Sequence, residues 1–374
     1  MPPRLTDLAN SLPASVPFIG PEAQERGMGQ PFAARLGANE SGFGPAPGAV
    51  KAIAQAAGET WMYGDPEVHD LRHAIAAHHG LAPEAVVVGE GIDGLLGYLV
   101  RLLIGPGDPV VTSDGAYPTF NYHVAGFGGA LHKVPYRGDH EDTDALAAKA
   151  AEVGAKLVYL ANPDNPMGSH HSAGTIARLL DALPRNCLLC LDEAYADLAP
   201  SEAIPPLNPA DDRVIRMRTF SKAHGLAGLR IGYAIGHPDL IRAFDKVRNH
   251  FGLGRLAQAA AIAALADVDW LVQVRQKVAM SRDRIGEIAR ENGLTPLPSA
   301  TNFVAVDCGR DGAFARAVLA ELLGQGVFVR MPGIVPLDRC VRISCGPGAD
   351  MQALAKALPR ALQDAASAMP QRER

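Results

Sequence analysis

The sequence predicts an α/β protein: a large domain with a mostly parallel mixed sheet flanked by helices, plus a smaller α/β domain. The first observation behind this prediction is a series of short apolar runs that each end in polar residues or glycine, with helical stretches between several of them. The second is a new alternation of strands and helices after residue 296. The third is the length of 374 residues, which exceeds one ordinary domain.

Composition excludes several classes of protein. A formal net charge of -5 and the lack of a basic tract argue against a nucleic-acid partner. No apolar run reaches the roughly 18 residues of a membrane span, and the first residues lack the apolar core of a signal peptide. We therefore expect a cytoplasmic protein.

Cys187 and Cys190 form a CxxC inside an apolar run, which favours a buried strand over a metal site.

The predicted organisation has three segments. Residues 1–50, rich in Pro and Gly, are expected to form an N-terminal arm and part of the small domain. Residues 51–269 are expected to form the large domain; they begin with two helical stretches separated by the loop WMYGDP, which contains Tyr63. Residues 270–374 are expected to form an interdomain helix and the small C-terminal domain, with apolar residues of the helix near one face.

Short apolar runs predict the strands of the large sheet, and polar residues follow most of them. The first run opens AVVVGEGIDGLLGYLVRLL, a strand with a glycine turn and a helix, and the later runs with their polar or glycine ends are DPVVTSDGAY, ALHKVPY, AKLVYLANPDNPMG, LLCLDEAY, VIRMRTFSK and RIGYAIG. The carboxyl ends of parallel strands meet at one edge of a sheet, and ligands bind there. Side chains that follow these runs are therefore the candidates for a functional site.

The segment TFSKAHGLAGLR supplies a lysine, Lys222, among small residues. An amine buried in such a pocket near other cations has a lowered pKa and becomes a nucleophile towards an aldehyde, as in the Schiff-base lysines of pyridoxal phosphate enzymes. Ser221 and Thr219 could donate to phosphate oxygens while Arg230 grips the same group. A solvated loop is the alternative interpretation.

A second motif competes with this interpretation. Gly89, Gly91 and Gly94 spell GxGxxG between a strand and a helix, and Asp114 follows at the next strand end, as in nicotinamide dinucleotide enzymes. Amides at a helix N-terminus receive a phosphate from either cofactor. Two observations weaken the dinucleotide alternative. The strand before the motif is not the first element of the chain, and a dinucleotide site would give Lys222 no role. Asp114 could also simply open a turn.

An aldehyde cofactor on Lys222 needs an acid for its ring nitrogen, and Asp192 at the end of LLCLD is the candidate. Tyr195 and Asn165 could both donate to the ring hydroxyl, and Tyr117 could stack on the ring. Each has an ordinary alternative: a helix cap or turn for Asp192, an Asn-Pro turn for Asn165 and an interface aromatic for Tyr117.

Two arginines in the second domain are candidates for binding a substrate. Arg342 lies inside the apolar strand RCVRISCG, where an arginine is costly unless it meets an anion. A substrate carboxylate and an internal ion pair are the alternatives. Arg330 at the end of VFVR is a weaker candidate and could equally be a surface residue.

Together these motifs resemble the fold type I pyridoxal phosphate-dependent aminotransferases of class I/II, most closely the histidinol-phosphate aminotransferase branch. The resemblance covers nearly the whole chain. The matching segments, in the order of the family, are ANESGFGPAPGAV, YGDPEVHDLRHAI, GEGIDG, NPDNPMG, LDEAY, TFSKAHGLAGLRIGY and VRISCG.

The resemblance implies a pyridoxal 5′-phosphate enzyme that moves an amino group between an L-amino acid or histidinol phosphate and a 2-oxo acid in a ping-pong cycle. It implies a homodimer, because Tyr63 would reach the cofactor phosphate of the neighbouring subunit. Lys222 would bond to the cofactor and later carry a proton between substrate and cofactor carbons. The other implied contacts are the phosphate (Ile92, Asp93, Ser221, Arg230), the ring (Tyr117, Asn165, Asp192, Tyr195) and the substrate (Arg342, Arg330, Asn165).

Departures from the branch leave the substrate open. The arm reads ANESG, Phe18 stands where a tyrosine is often found, and RMPGIVPLDR replaces a polar loop. Losing a hydroxyl removes a possible donor to a substrate phosphate. A decarboxylase of a phosphorylated amino acid, a catalytically silent regulator and a nicotinamide-dependent oxidoreductase remain the alternatives.

Overall fold

The computed structural model describes residues 4–14 and 19–368. Twelve strands are found in these ranges. In chain order they are β1 (Ala34–Arg35), β2 (Val86–Gly89), β3 (Pro109–Ser113), β4 (Ala130–Val134), β5 (Leu157–Ala161), β6 (Leu188–Asp192), β7 (Val214–Thr219), β8 (Gly232–Ile235), β9 (Thr295–Pro296), β10 (Phe303–Asp307), β11 (Val327–Phe328) and β12 (Cys340–Ser344).

Thirteen α-helices occupy the same ranges. They are α1 (Asp7–Ser11), α2 (Pro21–Met28), α3 (Pro47–Ala56), α4 (His69–His79), α5 (Gly91–Leu103), α6 (Pro118–Gly126), α7 (Thr143–Val153), α8 (Ala173–Ala182), α9 (Pro238–Ala243), α10 (Arg255–Ala266), α11 (Val268–Glu291), α12 (Gly312–Gly324) and α13 (Gly348–Ala368).

Seven strands form the large sheet in the order β2-β8-β7-β6-β5-β3-β4. All pairs are parallel except those of β8, which runs antiparallel to both β2 and β7. This confirms the predicted mostly parallel mixed sheet. Because β2, β3, β5, β6 and β7 point the same way, the segments that follow them meet at one edge.

Helices cover both faces of this sheet, as the near-continuous apolar runs of its strands require. On β5, Leu157 and Tyr159 pack with α5 and α6, whereas Val158 and Leu160 pack with α7 and α8. Helices α3, α4 and α10 cover the second face at the end of the sheet that holds β2 and β8. The alternation of side chains along each strand therefore places every other residue in a different core.

The smaller sheet is antiparallel, in the order β12-β10-β9, and a short parallel pair joins β1 to β11. Helices α12 and α13 pack on this region together with one face of the long helix α11. On that face Val274, Val278, Ile285 and Ile288 are buried and Leu271 is partly buried. The strand and helix alternation predicted after residue 296 is confirmed.

Within residues 4–14 and 19–368, no single helix is both long and apolar enough to cross a membrane. Helices α10 and α11 meet that criterion only when taken together, as a pair bent by 81°. Five residues of α10 are buried in the protein.

Candidate active site

A cavity of about 630 Å³ opens at the carboxyl edge of the large sheet, between the sheet and β12. Most of the residues predicted from the sequence line it. These are Ile92, Asp93, Tyr117, Asn165, Asp192, Tyr195, Ser221, Lys222, Arg230, Arg330 and Arg342. Strand direction explains the convergence, because Asp192 is the last residue of β6 and the Lys222 segment follows β7.

One end of the cavity is rich in hydrogen-bond donors. Helix α5 begins there at Gly91, whose φ of +77° suits glycine, and its first amides are unpaired within the helix. A Cβ at Gly91 would lie 2.5 Å from Nη2 of Arg230. The guanidinium is therefore packed against the helix N-terminus, and Ser221, with its neighbour Thr219, lies on the same wall.

This donor set suits a phosphate group. Helix amides, a hydroxyl and an arginine supply a positive dipole, neutral donors and a full charge. Ser221 is fixed by two contacts to Thr219: its amide donates to Thr219 Oγ1 over 3.0 Å, and its Oγ accepts from the same hydroxyl over 2.9 Å. The arrangement fits the phosphate of pyridoxal phosphate.

Lys222 projects into the cavity from the loop between β7 and β8. Its Nζ donates to the backbone oxygen of Asn39 over 3.0 Å and lies 5.8 Å from the ring centroid of Tyr195. Desolvation, and then the positive charge of Arg342, lower the pKa of Lys222 to about 8. About a tenth of the amine is therefore neutral and nucleophilic at pH 7, far more than for an ordinary lysine.

Asp192 lies on the cavity floor and is buried. Its Oδ1 accepts from the amide of Ala194 over 2.9 Å, and its Oδ2 accepts from the hydroxyl of Tyr159 over 2.6 Å. Burial raises the pKa of Asp192 to about 6, while these two donors and the positive charge of Lys222 oppose the rise. At neutral pH the carboxylate is charged and available to a positively charged partner.

Tyr195 and Asn165 point into the cavity from the segments after β6 and β5. The Tyr195 hydroxyl accepts from Nδ2 of Asn39 over 3.0 Å, which leaves its own proton for another acceptor. Asn165 Oδ1 accepts a hydrogen bond from Nη1 of Arg342. Tyr117 lies at the N-terminus of α6 and is half-buried.

Arg342, on β12, and Arg330, just after β11, lie side by side in the cavity wall. Their backbones pair, with Arg342 N donating to Arg330 O over 2.6 Å. Desolvation lowers the pKa of both guanidinium groups. Across the described ranges, no carboxylate lies within 4.0 Å of the Arg342 guanidinium, so the internal ion pair considered from the sequence is not formed. Nη2 of Arg330 donates to the backbone oxygen of Ile19 over 2.8 Å.

Two further residues singled out from the sequence have other outcomes. Phe18 lies outside the residues that the structure describes. Tyr63 lies on the surface with 78% of its side chain exposed, and its ring centroid is 4.9 Å from that of Phe251. Arg255 Nη2 donates to the Tyr63 backbone oxygen over 3.1 Å and holds the loop on α10.

Sequence reasoning missed Asn39 as a member of the site. Asn39 is buried, has a φ of +54° and joins four partners: its carbonyl accepts from Lys222 and Asn302, and its side chain binds Tyr195 and Ser344. The polar pair Asn39-Glu40 in the arm could have indicated this residue. Asparagine adopts the left-handed backbone conformation more readily than most residues, so it is suited to the turn found here.

The GxGxxG motif does not form a dinucleotide fold. Its strand β2 lies at the sheet edge and pairs antiparallel with β8, whereas a dinucleotide site needs a central parallel strand. Asp114 forms an ion pair with Lys133 over 3.2 Å.

The two cysteines of the CxxC do not share a face. Cys187 packs in the core under α7 and α8, and Cys190 packs in the core under α5 and α6. Within the part of the chain that the structure describes, no group of three or more His, Cys, Asp and Glu side chains could hold a metal ion.

The chain is similar in sequence to known aminotransferases. The sequence model of the aminotransferases of class I and II matches residues 34–360. The chain is 33% identical to a histidinol-phosphate aminotransferase of Moorella thermoacetica, over 95% of this chain and 92% of that protein. It is 36% identical to one of Jannaschia sp., over 83% of this chain and 86% of that protein.

A solved structure is also similar. The histidinol-phosphate aminotransferase of Sinorhizobium meliloti in complex with pyridoxal-5′-phosphate is 57% identical and superposes with a TM-score of 0.94, covering 96% of this chain and 98% of that one.

Proposed function

This chain belongs to the class I and II aminotransferases and depends on pyridoxal phosphate, and we propose that it transfers an amino group between histidinol phosphate and a 2-oxo acid. The observation that supports this substrate most strongly is the pair Arg342 and Arg330, which line the same cavity as the N-terminus of α5 and adjoin each other through backbone pairing. Two arginines suit a phosphate monoester or a carboxylate.

The residues that would hold the cofactor follow from the donors in the cavity. The N-terminal amides of α5 at Ile92 and Asp93, with Ser221 and Arg230, would bind its phosphate. Asp192 would pair with the ring nitrogen, Asn165 and Tyr195 would bind the ring hydroxyl, and Tyr117 would stack on the ring. Lys222 would bond to its aldehyde carbon.

Pyridoxal phosphate, when bound, supplies an aldehyde that takes up the amino group and a ring that withdraws electrons from the neighbouring carbon. Lys222 would hold the cofactor until the substrate amine displaces it, and its free amine would then lie beside the substrate Cα. Nζ of Lys222, whose pKa burial lowers to about 8, would accept the proton from the substrate Cα and deliver it to the cofactor carbon. The Asp192 carboxylate would accept a hydrogen bond from the protonated ring nitrogen and so keep that nitrogen charged.

One anion site serves both halves of a ping-pong cycle. Histidinol phosphate has a phosphate and no carboxylate, whereas the amino-acid product of the other half-reaction has a carboxylate. Arg342, anchored to Asn165 and to the backbone oxygen of Gly37, would bind either anion in the same place. Arg330 would add the second charge that a phosphate dianion needs.

We also propose a cytoplasmic homodimer in which the partner's Tyr63 reaches the cofactor phosphate. Tyr63 and Phe251 are 78% and 55% exposed and their rings lie 4.9 Å apart, and Trp61, two residues before Tyr63, is 82% exposed. We propose that these exposed aromatic side chains contact a second copy of this chain. A hydroxyl from the second subunit would complete the donors around the phosphate.

Single half-reactions test the substrate. Purified holoenzyme is mixed with histidinol phosphate, histidinol, histidine, aspartate, phenylalanine or glutamate, and the absorbance of the bound cofactor is followed. Histidinol phosphate is expected to convert the cofactor far faster than histidinol, because only the first has the anion for Arg342 and Arg330. Equal rates for these two compounds would contradict the proposal.

The other activities considered from the sequence are not favoured. The dinucleotide interpretation conflicts with the edge position of β2. The similar proteins carry aminotransferase names, which gives no support to a decarboxylase.

A further inference from the structure

Tyr159 lies on β5, next to the strand that carries Asp192. The strands pair in parallel, and the hydroxyl of Tyr159 donates to Asp192 Oδ2 over 2.6 Å. The tyrosine is completely buried, and its ring stacks on Phe120 with centroids 4.6 Å apart and planes 18° from parallel. Strand pairing and ring stacking therefore fix the position of the hydroxyl relative to the carboxylate.

The two oxygens of Asp192 have different donors. Oδ1 accepts from the amide of Ala194, a contact inside its own turn, and Oδ2 accepts from Tyr159 on the adjacent strand. The backbone donor would persist in any side-chain variant, so the hydroxyl is the contact that a substitution can remove. A hydroxyl donor to a charged carboxylate is short and strong, as the 2.6 Å distance indicates.

The charge of Asp192 depends on several neighbours. On its own segment, Glu193 is paired with Arg216 and Arg218, so its negative charge is balanced. The other titratable groups that face Asp192 are Cys190 and Tyr195 on the same segment, Glu141 after β4, Tyr159 on β5, Tyr117 after β3 and Lys222 after β7. Lys222 is the cation among these groups.

Burial is the largest influence on Asp192, and it favours the protonated acid. It raises the pKa of Asp192 to about 6, and the Tyr159 hydroxyl is the largest influence in the opposite direction. Because this pKa lies close to physiological pH, a rise of about one unit increases the protonated, uncharged fraction of Asp192 several-fold at neutral pH. The hydrogen bond therefore acts in the pH range where the enzyme works.

We propose that Tyr159 is a positioning residue that keeps Asp192 charged and aimed at the ring nitrogen of the cofactor. The inference rests on the proposed role of Asp192. Tyr159 does not transfer a proton in the reaction: it donates its hydrogen bond to the oxygen that would otherwise take up a proton in a buried site. Both Tyr159 and Asp192 line the cavity, so the contact lies directly beneath the expected ring.

The variant Tyr159→Phe tests the proposal because it keeps the ring and removes the hydroxyl. The acid limb of the pH profile of kcat/KM, and the acid-side change in the absorbance of the bound cofactor, are expected to move up by about one pH unit. The dissociation constant of pyridoxal phosphate is expected to increase by roughly tenfold.

Tyr233→Phe is the matched control. Tyr233 is also buried, and its hydroxyl accepts from or donates to Nε2 of His79 over 2.9 Å on a different face of the sheet. Its loss is expected to affect stability without moving either pH transition. Equal shifts in the two variants, or an unchanged profile in Tyr159→Phe, would overturn the proposal.

Two further variants complete the test. Incorporation of 3-fluorotyrosine at position 159 makes the hydroxyl a stronger donor with little change in shape, and both transitions should then move to lower pH. A shift in the opposite direction would overturn the proposal even if Tyr159→Phe fails to fold.

Asp192→Asn tests the proposed role of Asp192 itself. If this variant leaves both pH transitions unchanged, the proposed role of Asp192 is wrong, and that of Tyr159 with it. If Asp192→Asn abolishes both transitions but Tyr159→Phe does not move them, only the proposed role of Tyr159 is wrong.

Discussion

Asp164 holds a carboxyl group in the protein interior, directly before Asn165 of the site. It accepts from the hydroxyl of Tyr136 over 2.9 Å and from the amide of Met167 over 3.0 Å. Burial raises the pKa of Asp164 to about 7, and a second buried acid, Glu141, lies close enough to interact with it. Both acids therefore favour the protonated form in the folded state.

The sign of the pH effect follows from this pKa. A folded-state pKa above the unfolded value contributes stability that is full below the unfolded pKa and is lost as the pH rises through the folded pKa. For Asp164 this loss spans roughly pH 4 to 7. Asp164→Asn removes the charge and is expected to increase the free energy of unfolding by roughly 1–3 kcal/mol at pH 8, with no gain at pH 4.

Urea unfolding at several pH values checks this prediction. Asp283→Asn on the exposed side of α11 removes the same charge at the surface, so it should change stability little at any pH. A gain in Asp164→Asn that is the same at pH 4 and pH 8 would show that the buried charge is not its source.

At the scale of elements, the N-terminus of α5 is the feature on which cofactor affinity depends. Gly91→Ala places a Cβ 2.5 Å from Nη2 of Arg230, so the guanidinium must move away from the phosphate site. We expect the dissociation constant of pyridoxal phosphate to rise by at least roughly tenfold, measured by absorbance titration of the apoenzyme.

Gly107→Ala separates this effect from backbone strain. Gly107 has a φ of +80°, close to the +77° of Gly91, but a Cβ there would meet nothing within 4 Å. Both variants should lose about 1 kcal/mol of stability from the left-handed conformation. Equal weakening of cofactor binding in both would refute the specific contact with Arg230.

The elements of the large sheet could be predicted because each strand is a buried apolar run with a polar end. The antiparallel direction of β8 could not be predicted, since an apolar run carries no direction. The cause lies in the connection: the segment from Phe220 to Ile231 loops back without a helix long enough for a parallel crossover, so β8 returns beside β7 in the opposite direction. Lys222 and Arg230 lie in that loop.

The site could be predicted only in part, because some of its residues act through contacts between distant parts of the chain. Asp192, Asn165 and Lys222 follow strand ends, and their chemistry is visible in the sequence. Asn39 and Tyr159 act through contacts with residues distant in the chain, and a tyrosine inside an apolar strand indicates only burial. Their contribution depends on strand pairing and on the position of the arm, which local patterns do not specify.

At the scale of the whole molecule, the proposed homodimer predicts that each site uses two chains. Tyr63→Ala and Lys222→Ala damage groups that would lie in the same composite site but come from different subunits. In a hybrid dimer both defects fall in one site and the other site is intact. Mixing the two inactive variants through refolding should therefore restore up to about a quarter of the wild-type activity.

Mixing Lys222→Ala with Asp192→Ala is the matched control. These two residues belong to the same chain's cavity, so no hybrid contains an intact site and no activity should return. Recovery in the control, or its absence in the Tyr63 mixture, would contradict the shared site.

Borohydride reduction shows which lysine bonds to the cofactor, and so whether Lys222 has the role proposed for it. Holoenzyme is reduced with borohydride, digested and examined by peptide mass spectrometry, which locates the phosphopyridoxyl group. Two lysines line the cavity, Lys222 and Lys133. We expect the phosphopyridoxyl group on the peptide that contains Lys222, and we expect it to be lost in Lys222→Ala. Labelling of Lys133, or of no lysine in the cavity, would contradict it.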